Sequence, residues 1–205
     1  MVAMRRGVSD IVQEGDAMNR YHVFETAHGF AAIGWSGRGV TAFRLPARSA
    51  SESERSLLRR LPDAVRSDPP AEIAGIIAAT QRYFAGEQVD LTAIPIDLGE
   101  QSPFFAQVYD AVRSLGWGES TTYGAVAKSL GAGPEFARDV GQAMAANPIP
   151  LIVPCHRVLA AGGKVGGFSA PGGSVAKARM LALEGIETAA APVAPRPSPQ
   201  QSFGF

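Results

Sequence analysis

The 205-residue chain has a single cysteine, Cys155, and it is followed directly by His156, one of three histidines. A thiol and an imidazole are groups from which proteins build an activated nucleophile and its base. The ordinary interpretation of a lone cysteine is a small buried apolar residue, and a lone histidine is more often a hydrogen-bonded structural residue. The residues around this pair therefore decide whether it reacts.

The pair follows a proline-rich apolar segment, residues 147–154, with the sequence Asn-Pro-Ile-Pro-Leu-Ile-Val-Pro. Its three prolines remove backbone donors and fix the local dihedral angles, and each keeps the residue before it out of the helical region. The apolar run over 149–153 predicts a buried extended segment that would hold a thiol at one place. On an extended chain Cys155 and His156 would point to opposite sides, so His156 would act through a water molecule or a turn.

Composition limits the class of protein. Hydrophobic residues make up 46% of the chain, enough for one sizeable core or two small ones, and no apolar run has the length of a membrane span or a signal peptide. One cysteine excludes an internal disulfide and a multi-cysteine zinc site and fits a reducing cytoplasm. We therefore expect a cytoplasmic protein with no membrane contact, no metal and no cofactor.

The charge is balanced overall but unevenly distributed. The formal net charge is zero, which weakly disfavours a generic polyanion binder. Residues 104–185 carry seven Lys or Arg against five Asp or Glu, whereas residues 1–103 carry eleven against thirteen. A surplus this small predicts modest phosphate contact in the second half and disfavours a strongly basic DNA clamp.

The first half has the pattern of a scaffold. Residues 21–45 alternate short β-prone runs with turns and predict a three-stranded meander. Leucines at helical spacing predict a helix over 52–61 that packs on the sheet, and an apolar stripe predicts a second helix over 71–84. Residues 91–98 predict a further strand, placed near a sheet edge because Pro95 cannot donate a hydrogen bond.

The second half begins with a helix signal in which Ser102 is the N-cap and a proline follows it. Further on, Thr121 or Thr122 is expected to cap a short helix over 123–130, and a glycine-containing turn leads to a second helix over 135–146. Two short helices joined by such a turn are typical of a helix-turn-helix, although plain helical hairpins share the pattern.

Beyond the cysteine, residues 158–168 contain a Gly-Gly pair between apolar positions and predict a hairpin, which would form a wing beside the helix pair. A glycine-rich loop over 166–173 is consistent with a flexible connector or with close approach to a ligand. Ser174 is expected to cap a last helix over 175–183, which Glu184 follows. The chain thus divides into a flexible lead (1–19), an N-terminal α/β scaffold domain (20–100), a C-terminal domain (101–186) and a disordered tail (187–205).

The string Pro154-Cys155-His156-Arg157-Val158 resembles the active-site signature of the O6-alkylguanine-DNA alkyltransferases, also called methylated-DNA–protein-cysteine methyltransferases. Further blocks resemble this family in the same order along the chain. They are residues 118–124 at the entry to the helix pair, 137–144 in its second helix, 147–150 before the cysteine and 183–185 at the end. The resemblance covers roughly residues 80–185. Several ordered blocks are far harder to obtain by chance than one short string.

The resemblance implies an α+β fold, with a small ribonuclease H-like N-terminal sheet with helices and a C-terminal winged helix-turn-helix-like domain. It also implies a monomeric DNA repair protein that binds double-stranded DNA from the minor groove, flips out O6-alkylguanine and transfers the alkyl group irreversibly to Cys155. The thioether product has no carbonyl for water to attack, so each molecule would react once.

The resemblance also assigns roles to residues. It implies Cys155 as the nucleophile, His156 as a base that acts through a water molecule, and Glu184 as the carboxylate that orients the imidazole. Asn147 would tie the turn before the cysteine to the helix pair. The residues implied to bind DNA are Arg138, which would fill the gap left by the base, Tyr123, which would crowd the target phosphate and contact the base, and Ala137 and Gly141. The residues implied to form the guanine pocket are Met144, Val158, Phe168 and Ser169.

Two other functions stay open on the sequence. One is a non-catalytic module that binds alkylated DNA, although members of that branch lack the cysteine. The other is a thiol hydrolase with a Cys-His-Glu arrangement, for which the chain has no second signature. Asp139, beside Arg138, and Ala145 depart from the family pattern and predict weaker DNA binding.

Overall fold

The structure is a computed structural model, and it describes residues 18–189. The flexible lead predicted for residues 1–19 and the disordered tail predicted for 187–205 therefore lie almost entirely outside the described residues. Within 18–189, no helix combines the length and the apolar character needed to cross a lipid bilayer.

A small sheet occupies the first half. Strands β1 (Arg20–Thr26), β2 (Gly29–Ser36) and β3 (Gly39–Ala47) form an antiparallel meander, and the short β4 (Val65–Arg66) pairs in parallel with β1, so the order is β3-β2-β1-β4. The predicted meander is confirmed. Gly29 is required at its first turn, because its φ is +117° and a Cβ there would collide with the carbonyl of Ala47.

Two helices follow the sheet, as predicted. Helix α1 (Ala50–Leu58) buries Leu57 against the sheet residues Tyr21, Ala32 and Ala42. Helix α2 (Ala71–Phe84) buries a stripe of residues at helical spacing, namely Ile73, Ile76, Ile77, Thr80, Tyr83 and Phe84. The stripe joins the main hydrophobic core, so α2 is held by packing of its apolar face.

The strand predicted over 91–98 is wrong. Only Ile96 pairs, in an isolated parallel bridge with Val40. Val40 donates its amide to the Pro95 carbonyl and its own carbonyl accepts from Asp97, each at 2.9 Å. Because Pro95 has no N–H, the ladder does not extend beyond this bridge.

The second half is mainly helical, with α3 (Pro103–Arg113), α4 (Tyr123–Ser129), α5 (Ala137–Ala146) and α6 (Gly173–Leu183). Two predicted caps are confirmed. They are Ser102, whose hydroxyl accepts from the Phe105 amide at 3.2 Å, and Thr122, whose hydroxyl accepts from the Ala125 amide at 3.1 Å. The predicted cap at Ser174 is wrong, because α6 begins two residues earlier than predicted and its N-cap is Gly172 in the left-handed conformation (φ 84°).

The hairpin predicted over 158–168 does not form. Strand β6 (Val158–Leu159) pairs in parallel with β5 (Thr121–Thr122) at the start of α4, and one isolated antiparallel bridge joins Ala160 to Lys164. Gly162 and Gly163 both have positive φ values, 74° and 72°, so two successive left-handed residues turn the chain tightly here. The Ala160 amide donates to the Lys164 carbonyl at 2.8 Å, but the pairing does not extend beyond this bridge, because Val158 and Leu159 pair with β5 instead.

One hydrophobic core runs through both halves. It joins residues of the sheet, such as Ile33 and Phe43, to residues of the helices and the cysteine segment, such as Val108, Val140 and Val153. The Phe43 amide also donates to the Pro148 carbonyl at 2.9 Å, which ties β3 to the segment before the cysteine. The architecture is thus a mixed α/β fold in which a small N-terminal sheet supports the helices around Cys155.

Candidate active site

The segment before the cysteine is buried, as predicted, but it is a turn and not a strand. The Asn147 side chain closes it, since its carbonyl oxygen accepts from the Ile149 amide at 3.0 Å and its amide donates to the Val153 carbonyl at 2.8 Å. The Val153 amide donates to the Ile149 carbonyl at 3.0 Å, and Leu151 adopts φ 80°. Prolines remove the donors that a ladder would use, so local bonds shape this segment.

Residues Cys155–Arg157 form one turn of 3-10 helix, so Cys155 and His156 do not alternate as on an extended chain. Only 5% of Cys155 is exposed, and it opens onto a cavity of about 340 Å³. The cavity is lined by predicted DNA-contact and pocket residues together with Ala145 and Gly167; the predicted ones are Tyr123, Gly141, Met144, Phe168 and Ser169. The Ser169 hydroxyl donates to the Ala145 carbonyl at 3.2 Å, which links the glycine-rich loop to α5.

Three predicted residues lie outside this lining. Val158 is fully buried, and its carbonyl accepts a hydrogen bond from the Lys177 ammonium. Ala137 and Arg138 stand in the first turn of α5, with Arg138 exposed. The structure therefore places the cavity-lining part of α5 about one to two turns after Arg138, at Gly141, Met144 and Ala145.

His156 and Glu184 lie in contact behind the cysteine. The His156 Nε2 and Glu184 Oε1 atoms are 2.7 Å apart, and both side chains are fully buried. Arg157 completes the ion pair, because its Nε donates to Glu184 Oε2 at 2.7 Å and its Nη2 donates to Oε1 at 3.0 Å. An ion pair this deep is stable only when its hydrogen bonds are satisfied, and these contacts satisfy the carboxylate.

Tyr83 is a part of this network that the sequence did not reveal. Its hydroxyl donates to Glu184 Oε1 at 2.8 Å and lies 3.3 Å from His156 Nε2. Tyr83 belongs to α2 in the first half, 101 residues before Glu184. No local pattern identifies it, because a tyrosine on the apolar face of a helix is an ordinary core residue.

The network determines the charge of its members. Burial alone would raise the pKa of Glu184, but the hydrogen bonds from His156 and Arg157 outweigh burial and lower its pKa to about 2. Burial lowers the pKa of His156, against the opposing effect of Glu184. At neutral pH the site therefore holds an ionised carboxylate and a neutral imidazole.

The neutral imidazole has one nitrogen available as a base. Its Nε2 faces Glu184, which as a carboxylate can only accept, so Nε2 carries the proton and donates. Its Nδ1 is buried and has no protein partner among the described residues. A neutral histidine with a donating Nε2 has an accepting Nδ1, so the arrangement can take up a proton at Nδ1 and share the new charge with Glu184.

Lys177 of α6 is a second residue that the sequence did not reveal, because lysines are usually exposed. It is fully buried, and its Nζ donates to the Val158 carbonyl at 2.6 Å and to the Tyr123 hydroxyl at 3.5 Å. Burial lowers its pKa to about 8. Burial raises the pKa of the Cys155 thiol, while Asn147 and the Lys177 charge act in the opposite direction. The ammonium of Lys177 thus offsets part of the effect by which burial disfavours the thiolate.

The ion pair predicts a pH-dependent stability. The pKa of Glu184 in the folded protein, about 2, lies below its ordinary value of 4.5, so the stabilisation is complete above about pH 5 and is lost as the pH falls towards 2. The difference corresponds to about 3 kcal/mol. Glu184→Gln should lower the free energy of unfolding by about 3 to 5 kcal/mol at pH 7, because it leaves Arg157 without a carboxylate, and that deficit should shrink in acid.

Urea unfolding of both proteins at neutral pH and at about pH 3 measures this effect. Glu100→Gln is the matched control, since Glu100 is exposed and makes no ion pair among the described residues. An equal deficit for Glu184→Gln at both pH values would show that the carboxylate is not held as an ion.

Comparisons with known proteins agree with this geometry. Residues 103–186 match the family model described as 6-O-methylguanine DNA methyltransferase, DNA binding domain. A methylated-DNA–protein-cysteine methyltransferase of Mycolicibacterium paratuberculosis is 41% identical over 119 residues, which are 58% of this chain and 68% of the relative. The chain belongs to the methylated-DNA–protein-cysteine methyltransferase family. The resemblance inferred from the sequence is therefore confirmed.

Two further proteins, one compared by sequence and one by structure, are also similar to this chain. A DNA base-flipping protein of Thermus thermophilus is 39% identical over 133 residues, 62% of this chain and 86% of the relative. The structure of Mycobacterium tuberculosis OGT in complex with DNA is 31% identical, with a TM-score of 0.64 over 80% of this chain and 92% of the other. This methyltransferase-family fold thus includes the N-terminal sheet as well as the helices around the cysteine.

Proposed function

We propose that this protein repairs DNA by transferring the alkyl group of O6-alkylguanine irreversibly to its own Cys155. The observation that carries the proposal is that the Cys155 thiol opens onto a cavity while His156 and Glu184 stand in hydrogen-bond contact behind it. The names of the relatives, a methylated-DNA–protein-cysteine methyltransferase and a DNA base-flipping protein, support the same reaction.

The DNA partner is double-stranded and is contacted from its minor groove by the pair α4 and α5, which act as a helix-turn-helix. Arg138 is exposed in the first turn of α5, and Gly141 on the next turn lines the cavity. One helix is therefore able to meet the duplex and the extruded base together. Arg138 fills the space that the base leaves, and the small residues Ala137 and Gly141 allow the backbone to approach the groove.

The flipped guanine is held beside the sulfur. O6 of a stacked guanine is inaccessible to a thiol, so the nucleotide must leave the stack. Met144 and Phe168 supply apolar walls, and Tyr123 and Ser169 contribute side chains that carry a hydroxyl group. Mostly apolar walls with a few polar groups are typical of sites that orient a planar ligand.

The transfer begins with deprotonation of the thiol. His156 Nδ1 accepts the thiol proton through a water molecule, and the ionised Glu184 stabilises the imidazolium that forms. The positive charge of Lys177 stabilises the thiolate. The sulfur then attacks the alkyl carbon in line, so that a sulfur–carbon bond forms as the bond from carbon to O6 breaks and its electron pair leaves with guanine. The thioether that remains cannot be hydrolysed, which limits each molecule to one turnover.

The domain roles, the monomeric state and the location belong to the same proposal. Residues 20–100 serve as a scaffold domain with a ribonuclease H-like sheet, and residues 101–186 as the DNA-binding and transfer domain. The protein acts as a monomer in the cytoplasm, where the reducing environment keeps the single thiol available. A non-catalytic lesion-binding module is not favoured, because such a module has no use for a cysteine next to a buried network of a neutral histidine and an ionised Glu184-Arg157 pair.

Mass spectrometry tests the proposal. The protein is incubated with a duplex that contains one O6-methylguanine, digested and analysed by peptide mass. We expect the peptide containing Cys155 to gain the mass of one methylene group, in a yield of one methyl group per protein molecule. A duplex with unmodified guanine is the control. An unchanged Cys155 peptide after complete binding of the duplex would overturn the proposal.

A further inference from the structure

Three arginines of the first half converge on the mouth of the active site. A second cavity, of about 410 Å³, adjoins the first and shares Met144, Cys155, Phe168 and Ser169 with it. Its opposite wall carries Arg44, Arg59 and Arg60. The wall is strongly basic although the chain as a whole carries no net charge.

Arg44, on β3, is the innermost of the three. It is partly buried and donates only to backbone carbonyls, which are those of Phe43 at 2.7 Å, Ser56 at 3.2 Å and Pro148 at 3.2 Å. Burial, and then the charges of Arg60 and Arg59, lower the pKa of Arg44 to about 10. Carbonyl oxygens carry no full charge, so they leave the positive charge of Arg44 uncompensated.

An acidic partner is missing for all three arginines within residues 18–189. None of them takes part in a salt bridge there. Glu54, the acid of α1 that binds across the fold, is engaged with Tyr21 and Arg66. The three like charges therefore repel one another without a counterion supplied by the described protein.

The helix dipole explains the positions of only two of the three arginines. Arg59 is the C-cap residue of α1 and Arg60 follows it, and basic residues at helix C-termini are stabilised by the helix dipole. Arg44 belongs to a strand, where no such preference applies. Arg44 lies beside two further arginines at a cavity that reaches the reactive sulfur, and a bound anion would neutralise this concentration of positive charge.

We infer that Arg44, Arg59 and Arg60 bind the phosphodiester backbone of the DNA strand whose base enters the active-site cavity. The inference rests on the proposed function and adds a DNA-binding surface on the N-terminal half. Guanidinium groups bind phosphate oxygens through charge-assisted, often paired hydrogen bonds. A phosphate here supplies the negative charge that the cluster lacks.

The two ends of α5 explain how this surface would work. Arg138 stands at the N-terminal end, whereas Ala145 and Ala146 at the C-terminal end line the basic cavity. The helix has 10 residues, so it is about 15 Å long. Positive groups at both ends hold the strand on either side of the extruded nucleotide, and α5 itself carries a positive side chain only at Arg138.

The salt dependence of DNA binding tests the inference. The double variant Arg59→Gln/Arg60→Gln removes two charges but keeps the polar stems, and Arg44 is left in place because it supports backbone carbonyls. Affinity for an O6-methylguanine duplex is measured by fluorescence anisotropy from about 50 to 200 mM salt, where each lost phosphate contact lowers the slope of log K against log salt by about 0.9. We expect the slope to fall by about 1.8 and the affinity to fall by about tenfold.

Arg55→Gln is the matched control, because Arg55 is exposed on the same helix and does not line the cavity. Arg138→Gln is the positive control and should also lower the slope. A second readout is the rate of methyl transfer from duplex DNA divided by the rate from the free O6-methylguanine base, which has no phosphate. This ratio should fall by about tenfold in the double variant, in line with the loss of affinity.

The outcomes separate the inference from the proposed function. An unchanged salt slope in the double variant, with a lowered slope in Arg138→Gln, would overturn the inference alone. An equal loss of rate with DNA and with the free base would also overturn it, since the arginines would then support only the shape of the cavity. Failure of the unmodified protein to transfer methyl groups from either substrate would overturn the proposed function.

Discussion

Replacing Cys155 with serine is expected to abolish alkyl transfer while the protein still binds DNA that contains the lesion. A hydroxyl is far less acidic than a thiol, so the neutral His156 cannot generate the corresponding alkoxide. The side chains differ little in size, and Cys155 is only 5% exposed, so the cavity should keep its shape. The rate should fall by about a millionfold, as when other enzymes lose their nucleophile.

Peptide mass spectrometry measures the methyl transfer, and fluorescence anisotropy measures the binding of the DNA. The Cys155→Ser variant should leave the methyl group on the DNA after a reaction time in which the unmodified protein reacts completely, and its affinity for the lesion should stay within about threefold. Methyl transfer at an unreduced rate would identify a different acceptor. Urea unfolding checks that the variant is folded, since a hydroxyl in a buried position must find a hydrogen-bond partner.

Replacing His156 with glutamine should lower the single-turnover rate by about 10² to 10⁴-fold, the usual contribution of a positioned base. In the unmodified protein burial lowers the pKa of His156. The imidazole therefore stays neutral, and can accept a proton, even at pH values somewhat below the ordinary pKa of histidine. In the variant the rate should follow the thiolate fraction alone. Burial raises the pKa of Cys155, so this rate should rise about tenfold per pH unit through neutral pH.

Single-turnover rates between about pH 6 and pH 9 test this expectation, with the transferred methyl group as the readout. His28→Gln is the matched control, because His28 is exposed and lies against Phe84, outside the Cys155 cavity. A His156→Gln variant with the rate and the pH profile of the unmodified protein would exclude His156 as the base. Glutamine preserves much of the volume, which limits damage to the buried ion pair.

The buried network makes the two halves of the chain interdependent. Glu184 accepts from Arg157 beside the cysteine and from Tyr83 on α2, so a helix of the first half helps to hold the carboxylate that orients His156. The Phe43 amide binds the Pro148 carbonyl, which places β3 against the turn before the cysteine. The N-terminal sheet therefore acts as more than a passive support for the chemistry.

Local signals in the sequence were sufficient for most of the helices and the meander. Ser102 and Thr122 cap α3 and α4 because a side-chain oxygen needs only the amide three residues later. The strand over 91–98 and the hairpin over 158–168 were wrong, because a strand forms only where a second backbone offers free partners. Pro95 cannot donate to such a partner, and β6 pairs with β5 instead.

By itself, the sequence determined which chemistry this protein can perform, because Cys155, its flanking prolines and the ordered blocks around it already indicate a methyltransferase-family site. Only the tertiary structure decided how that site is assembled. Tyr83 meets His156 across 73 residues, Lys177 is buried against Val158 and Tyr123, and the three arginines gather at one cavity wall. Such contacts depend on how elements that are distant in the sequence pack together. Neither a hydrophobic period nor a short motif in the sequence indicates this packing.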